Sequence, residues 1–267
     1  MQNTASIHSN IASASSSSSS SVSSKARPLA FERWAKPSLD YERNLQESLK
    51  TLQEVASRLK PLKQASSLGA EDVVITHMIE SLGLDIAVFV LETGALHHQT
   101  LALLERTQAQ SRLAIEVYKP QHEDVIHFVK SKGQGAIYRS IEDRKACCEI
   151  RKLKPLSLAL QGQRAWITGL RREQSNARAE VGLIDDSELA SKGWTKVNPL
   201  VNWTWSDIWH YIELHNVDYN PLHDEFYPSI GCAPCTRAIS MGEEFRAGRW
   251  WWEDESAKEC GLHVSKA

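Results

Sequence analysis

Residues 85–110 read DIAVFVLETGALHHQTLALLERTQAQ and indicate the class of fold. The first seven residues are rich in β-branched and aromatic side chains, which is typical of a buried strand. The polar turn Glu92-Thr93-Gly94 follows, and apolar residues then recur with helical spacing over 99–110. This stretch therefore predicts one strand, one turn and one helix.

The same succession recurs on both sides of this stretch. Strands are also predicted over 62–68, 113–118 and 165–168, and helices over 41–59, 71–81, 123–132 and 146–160. Strands separated by helices of this length need crossover connections, so we expect an α/β fold with a mainly parallel sheet flanked by helices. Ligands of such sheets bind beyond the carboxyl ends of the strands, so the expected binding loops are 66–72, 92–94 and 169–172.

The bulk composition excludes several classes of protein. The 267 residues include 31 Lys and Arg against 33 Asp and Glu, which leaves a formal net charge of -2. This balance lacks the positive field of a general nucleic-acid binder or of a protein that binds anionic membranes. No run of about 18 apolar residues is present, so no membrane-spanning segment is predicted. We therefore expect neither a nucleic acid nor a membrane among its partners.

Three segments are predicted along the chain. An unbroken serine run, 15–21, lies in a stretch almost without large apolar residues, so residues 1–25 are predicted to be a disordered tail. Residues 26–245 are predicted to form the α/β domain, and residues 246–267 a C-terminal tail. The five cysteines are odd in number and too few for a disulfide scaffold, and the N-terminus lacks a secretion pattern, which predicts a cytoplasmic protein.

The spacing of four cysteines is typical of a metal site. Cys232 and Cys235 form a C-x-x-C pair, which can place two thiolates on one metal. Cys147 and Cys148 are adjacent, and on a helix they would point about 100° apart, which is awkward for one zinc ion but suits a larger cluster. From the spacing alone, a structural zinc site, an iron–sulfur cluster and unrelated buried thiols all remain open.

The loop 66–72, SSLGAED, has residues that suit a phosphate or sulfate group. Backbone N–H groups and hydroxyls at the start of a helix bind such anions, and a glycine allows close approach. The loop lacks the Lys-Ser/Thr pair of a Walker loop, so ATP hydrolysis of that type is not predicted. Guanidinium groups also match tetrahedral oxyanions, which makes Arg171, Arg172, Arg178, Arg246 and Arg249 further candidates.

Two further residues are candidates for chemistry. Lys152 lies four residues after Cys148, which would place its charge on the thiolate face of a helix. Cys260 stands apart from the other cysteines, close to His263. A lone thiol there is either an incidental surface cysteine or, when neighbouring positive charge activates it, a nucleophile for covalent catalysis.

Seven short motifs follow one another along the chain. They are SSLGAED (66–72), LETG (91–94), KACCEIRKLKPL (145–156), WITGLRREQSNAR (166–178), GCAPC (231–235), RAGRWWW (246–252) and ECGLH (259–263). Together they resemble the assimilatory sulfonucleotide reductases, specifically the bacterial adenylyl-sulfate reductases. The resemblance implies an adenine-nucleotide alpha-hydrolase-like sheet with a mobile C-terminal catalytic tail, and reduction of adenosine 5′-phosphosulfate (APS) to sulfite and AMP. It further implies a 4Fe-4S cluster, a separate thioredoxin or glutaredoxin-like electron donor, and a homo-oligomer.

The resemblance also implies roles for individual residues. The cluster ligands would be Cys147, Cys148, Cys232 and Cys235. The catalytic residues would be Cys260, His263 and Lys152. The substrate-binding residues would be Ser66, Ser67, Gly69, Glu71, Asp72, Thr93, Gly94, Arg171, Arg172, Arg178, Arg246 and Arg249.

The implied reaction begins when the Cys260 thiolate attacks the sulfur of APS. AMP leaves, a cysteine S-sulfonate forms, and a donor thiol then releases sulfite. The cluster is expected to tune the local electrostatic field through Lys152 and not to deliver the electrons. The related 3′-phosphorylated (PAPS) reductases have ECGLH but lack both cysteine pairs, so the four cysteines favour APS. The alternatives are a PAPS reductase, a cluster-bearing ATP-dependent tRNA thiolation enzyme and a zinc-stabilised interaction module.

Overall fold

The computed structural model describes residues 28–254 of the chain. The predicted disordered tail 1–25 lies outside this range, as do Cys260 and His263 and the final part of the predicted mobile tail. A six-stranded sheet with the strand order β3-β2-β1-β4-β6-β5 forms the centre of the described part. The strands are β1 Leu62–Ser66, β2 Ala87–Leu91, β3 Ile115–Tyr118, β4 Ala165–Ile167, β5 Ile184–Asp185 and β6 Thr195–Val197. All neighbours are parallel except β5 with β6, which confirms the predicted mainly parallel sheet.

Helices alternate with the strands, as the pattern of apolar residues predicts. They are α1 Ala30–Trp34, α2 Tyr41–Arg58, α3 Ala70–Ser81, α4 His98–Gln110, α5 His122–Lys132, α6 Ile141–Cys148, α7 Lys154–Ala159, α8 Leu189–Lys192 and α9 Trp205–His215. No helix between residues 28 and 254 has both the length and the apolar character needed to cross a membrane.

The strands β5 and β6 were not predicted from the sequence. They have two and three residues and mix apolar with polar side chains, Ile-Asp and Thr-Lys-Val, whereas the equally short β4 is the wholly apolar Ala-Trp-Ile. Pairing across the sheet creates them, because β6 adds to β4 in parallel and Ile184 of β5 then pairs with Val197 of β6.

Adjacent residues of the central strands pack into different layers. In β2, Val90 belongs to a core that includes α2, α3 and α9, whereas Phe89 packs with Leu156 and Trp166 on the other face. Such alternation follows from the two-residue repeat of a strand. Helix α7 therefore covers one face of the sheet, and the larger helical layer covers the other.

The register of the strands brings the three expected loops to one edge. Ser66 at the end of β1 pairs with Val90 of β2, and Gln64 pairs with Ile167 at the end of β4. Because these strands are parallel, the segments that follow them leave the sheet at the same edge. The strand register thus determines where the candidate site is assembled.

A π-helical segment, Glu149–Leu153, joins α6 to α7 without a break. Pro155 lies in the first turn of α7, and its ring has no N–H to donate to the carbonyl of Arg151. In a regular α-helix the proline ring would also meet the Arg151 carbonyl, and Arg151 lies within the wider π-helical turn. The predicted helix over 146–160 is therefore confirmed, but its turn next to Cys148 is wider than the 3.6-residue period assumed.

Candidate active site

A cavity of about 200 Å³ lies at the carboxyl edge of the sheet. It is lined by residues from all three expected loops, together with the segments around Gly231 and Arg249. The predicted site residues that line it are Ser66, Ser67, Gly69, Glu71, Asp72, Thr93, Lys152, Arg178, Arg246 and Arg249. We call this space the anion cavity, because four of these side chains are cationic.

The SSLGAED loop is organised by Asp72. The backbone N–H and the hydroxyl of Ser67 both donate to the Asp72 carboxylate, at 2.7 and 2.6 Å. Burial raises the pKa of Asp72 to about 6, although these hydrogen bonds act in the opposite direction. Gly169 packs against the same carboxylate, since a Cβ there would lie 2.5 Å from an Asp72 oxygen. The amide of Ser67, which the sequence suggested for an anion, is thus already hydrogen-bonded within the loop.

Glu71 is held in a buried network with Arg171. The Nε and Nη2 atoms of Arg171 donate to one Glu71 oxygen at 3.0 and 2.8 Å, and the Gln174 amide donates to the same oxygen at 3.0 Å. Burial disfavours the charged carboxylate, but the charge of Arg171 and the Gln174 hydrogen bond hold the pKa of Glu71 below its ordinary value. The pair supports one wall of the anion cavity.

The three arginines of the GLRREQSNAR motif have different surroundings. Arg171 is fully buried against Glu71 and does not line the anion cavity. Arg172 is directed to the carbonyl of Val181 and to the Asn202 side chain, away from that cavity. Arg178 lines the cavity and donates to Gln174 at 2.6 Å. Arg178 is therefore the arginine of this motif that is available to an anion in the cavity.

Arg249 is seated against a glycine. Its guanidinium group donates to the Ile230 carbonyl at 3.2 Å and to the Ser229 hydroxyl at 3.3 Å. A Cβ on Gly231 would lie 2.4 Å from Nη2 of Arg249, so only glycine leaves room for this arrangement. In the sequence Gly231 is identifiable only as the residue before a C-x-x-C pair, and its contact with Arg249 was not predicted.

A second cavity, of about 300 Å³, is lined by Cys147, Cys148, Cys232 and Cys235. We call it the cysteine cavity. The first two cysteines end α6, and the other two bracket a single 3₁₀ turn. Within the described part of the chain, no three His, Cys, Asp or Glu residues are arranged to hold a metal ion. The four thiols instead border a common space.

The chemistry of this donor set fits a group that binds thiolates. Burial raises the pKa of Cys147, against the charge of Arg151, and raises the pKa of Cys235 to about 12. Thiols with a raised pKa stay protonated at neutral pH when no metal is bound. A bound metal supplies the compensating charge, and a thiol that coordinates it loses its proton. Arg144 hydrogen-bonds Cys148, and its cationic group can balance bound thiolates.

The two cavities share a wall. Lys152, Arg249 and Trp250 line both of them. Thr93 lines the anion cavity and lies 3.3 Å from the sulfur of Cys232, whereas its neighbour Gly94 lines only the cysteine cavity. A cation in this wall can act electrostatically on both spaces at once.

One lining residue gave no signal in the sequence. His223 lines the anion cavity, and burial lowers its pKa to about 4, so the ring is neutral at ordinary pH. Its Nδ1 atom lies 2.7 Å from the Tyr227 carbonyl, an arrangement in which Nδ1 carries the proton and donates. A single histidine in an irregular segment has no periodicity or spacing that would identify it from sequence.

Comparisons with known proteins agree with this geometry. A family model described as the phosphoadenosine phosphosulfate reductase domain matches residues 61–238. A protein from Burkholderia cepacia named adenosine 5′-phosphosulfate reductase is 48% identical over 214 residues, which cover 80% of this chain and 85% of that protein. A protein of the same name from Neisseria meningitidis serogroup A is 45% identical over 237 residues, which cover 86% of this chain and 96% of that protein.

Solved structures show the same fold. The crystal structure of phosphoadenylyl-sulfate (PAPS) reductase from Candida auris superposes with a TM-score of 0.61 at 26% identity, over 76% of this chain and 98% of that chain. Candida glabrata FMN adenylyltransferase superposes with a TM-score of 0.54 at 12% identity, over 89% and 81% of the two chains. The second similarity concerns the fold alone, an α/β sheet of the nucleotide alpha-hydrolase type.

Proposed function

Because the chain belongs to the phosphoadenosine phosphosulfate reductase family, we propose that it is an oxidoreductase that reduces APS to sulfite and AMP. The observation that carries the proposal is the wall shared by the anion cavity and the cysteine cavity. It provides cations for a sulfate and a phosphate group beside four thiols. The four cysteines favour APS over its 3′-phosphorylated relative, since the motifs resemble those of APS reductases and the related PAPS reductases lack both cysteine pairs.

The reaction that we propose is a thiol substitution at sulfur. The Cys260 thiolate forms a bond to the sulfur of APS, the bond between that sulfur and the phosphate oxygen breaks, and AMP leaves with the electron pair. A donor thiolate then attacks the Cys260 sulfur and releases sulfite, and the second donor thiol frees Cys260 as the donor disulfide closes. The two electrons thus come from a thioredoxin or glutaredoxin-like dithiol protein.

The cations of the anion cavity stabilise the charge that develops in this reaction. The cations that line it are Lys152, Arg178, Arg246 and Arg249, and the carboxylate of Glu71, which is paired with Arg171, also lines it. Fixed charges of this kind lower the barrier because they are in place before the sulfonate moves and before the phosphate leaves. We assign to these four residues the binding of the phosphosulfate, with His263 as a further contact beside Cys260.

We propose different roles for the α/β domain and for the C-terminal segment of the chain. Residues 26–245 form the nucleotide-binding domain, and the segment from residue 246 onward presents Cys260 to it. The first part of that segment packs into the domain, because Arg246 and Arg249 line the anion cavity and Trp250 is 1% exposed. We expect the remaining tail to close over bound APS and then to meet the electron donor.

Sulfite release provides the direct test of the function. We expect the purified protein to release sulfite from APS in the presence of thioredoxin and its reductase, and to do so much more slowly from PAPS. Both nucleotides are assayed side by side at equal concentration, with AMP measured as the second product. Faster turnover of PAPS would contradict the substrate assignment, and no sulfite from either nucleotide would contradict the reaction.

We further propose that Cys147, Cys148, Cys232 and Cys235 hold a 4Fe-4S cluster. When bound, the cluster supplies a thiolate-ligated charged centre that tunes the field across the shared wall, while electrons arrive from the donor dithiol. The buried thiols, the guanidinium groups of Arg144 and Arg151 and the common cavity support this assignment.

Metal analysis tests the cluster directly. Protein purified without oxygen is expected to be brown and to contain about four iron atoms per chain, and Cys232→Ser is expected to lose them, because the fourth thiolate ligand is missing. Ser67→Ala is a suitable control, since Ser67 lies outside the cysteine cavity. A colourless protein that contains zinc would contradict the proposal.

A further inference from the structure

The last described turn of the chain is fastened to the cysteine-bearing helix α6 by one ion pair. Arg144 donates from Nε and Nη2 to the two oxygens of Glu253, at 2.9 and 2.6 Å. We propose that Arg144 and Glu253 are a positioning pair, which seats the chain leading to Cys260 and so sets the rate at which its thiol attacks. The inference rests on the function proposed above.

The burial of this pair makes its geometry specific. The side chains are 0% and 3% exposed, so neither charge is shared with water. Two charges lose much hydration free energy on burial and recover it only when they meet in good geometry. Separating the two side chains would leave the buried Arg144 without its carboxylate partner. The pair therefore selects one position for this turn.

The backbone around Trp250 shows that the turn is held firmly. Trp250 has a φ of +43°, in the left-handed region that bulky side chains rarely adopt. Such a conformation persists only where the surroundings enforce it. Here the Trp250 N–H donates to the Cys235 carbonyl at 3.2 Å, and the Glu253 N–H donates to the Trp250 carbonyl at 2.9 Å. Glu253 is thus presented to Arg144 by a turn that is itself bound to the C-x-x-C segment.

The same pair is linked to both cavities. The Arg144 guanidinium lies 4.7 Å from the Trp250 ring centroid and hydrogen-bonds Cys148 on its own helix. The Arg249 guanidinium also lies 4.7 Å from the Trp250 ring and lines the anion cavity. A shift of Arg144 would therefore disturb Trp250, and with it a cation that faces the substrate.

Loss of the ion pair could slow the reaction in two ways, by lengthening the tether to Cys260 or by displacing the turn, and the length of the chain beyond Glu253 separates them. Cys260 follows by seven residues, which span at most about 24 Å when extended. If the pair were lost and Trp250 became the last anchor, the tether would lengthen by three residues, which lowers the effective concentration of the thiol only about twofold. A larger loss of rate must come from the seating of the turn and of Arg249, where a displacement of about 1 Å can cost on the order of 100-fold.

The test compares Glu253→Gln, Glu253→Asp and the parent protein, each with its iron content measured. We expect Glu253→Gln to form the Cys260 S-sulfonate about 10-fold to 100-fold more slowly in a single turnover with APS, followed by intact-protein mass. Binding of AMP, measured by calorimetry in a Cys260→Ser background, should weaken far less than the rate falls, because AMP retains the undisplaced nucleotide loops and only its contact with Arg249 changes. Glu253→Asp retains the negative charge beside Arg144, but its carboxylate is one methylene shorter and lies farther from the guanidinium. Its rate of S-sulfonate formation should lie between those of the parent and of Glu253→Gln.

Glu243→Gln is the matched control. Glu243 also accepts a two-pronged hydrogen bond from an arginine, Arg237, at 2.9 and 2.7 Å, but this pair is about one-third exposed and lines neither cavity. Its S-sulfonate rate should equal that of the parent.

Two results would overturn the positioning role. One is an unchanged S-sulfonate rate in both Glu253 variants. The other is a loss of rate in proportion to a loss of iron or of AMP affinity. If Glu253→Gln fails to fold, the same comparison is made with Glu253→Asp. A parent protein that forms no S-sulfonate from APS would instead refute the proposed function itself.

Discussion

The Cys260→Ser variant is expected to release no measurable sulfite from APS, a loss of at least about 10⁴-fold. A serine hydroxyl is almost fully protonated at neutral pH and is a far weaker nucleophile toward sulfur than a thiolate. The sulfur of Cys260 is also the atom that would carry the sulfonate, so the attack on APS and the later release of sulfite would stop together. The measurement is sulfite release in steady state, with intact-protein mass to detect the adduct.

The control for Cys260→Ser is nucleotide binding. Because Cys260 is assigned to chemistry and the anion cavity is built from other residues, the affinity for AMP should remain within about twofold of the parent. Iron content should be unchanged for the same reason. Residual sulfite release above about one per cent of the parent rate would show that another group attacks the sulfur.

Lys152→Ala is expected to lower kcat/KM for APS by about 10²-fold to 10³-fold. Lys152 lines both cavities from the π-helical segment, so its charge can act on the anion cavity and on the four thiols together. Burial raises the pKa values of Cys147 and Cys235, and the charge of Lys152 opposes that effect in both cases. In the proposed reaction, removing the charge would remove stabilisation of the departing phosphate and of the proposed thiolate-ligated cluster. The measurement is kcat/KM from sulfite release, with AMP binding and the visible absorbance spectrum recorded for the same sample.

Lys154→Ala is the matched control for Lys152→Ala. It lies two residues along the chain, is about half exposed, bonds Asp124 at 2.7 Å and lines neither cavity. An exposed ion pair of this kind contributes at most about 1 kcal/mol, so its kcat/KM should be close to that of the parent. Equal losses in the two variants would mean that general positive charge, and not the shared wall, accounts for the effect.

The long elements could be predicted from the sequence because their apolar residues repeat over many positions. The helix predicted over 71–81 is observed as Ala70–Ser81, and the strand over 113–118 as Ile115–Tyr118. The strands β5 and β6 could not be predicted, because their two and three residues include polar side chains and so lack the apolar run that identified the equally short β4. The π-helical turn was also not predicted, although Pro155 stands two residues after its end.

In the candidate site, too, some features could be predicted from the sequence and others could not. The motifs identified the cysteine pairs, the SSLGAED loop and a set of arginines, since residue types and close spacings are properties of the chain itself. They did not separate Arg178, which lines the anion cavity, from Arg171, which is buried against Glu71. That difference depends on which side chain meets a carboxylate 100 residues away.

The family, the α/β class and the available chemical groups follow from the amino-acid sequence, because local patterns and ordered motifs contain that information. How those groups are combined depends on the folded chain: Lys152, Arg249 and Trp250 form one wall between two cavities, Gly231 leaves room for Arg249, and Glu253 pairs with Arg144. These arrangements arise from charge balance and close packing between residues that are far apart in the chain.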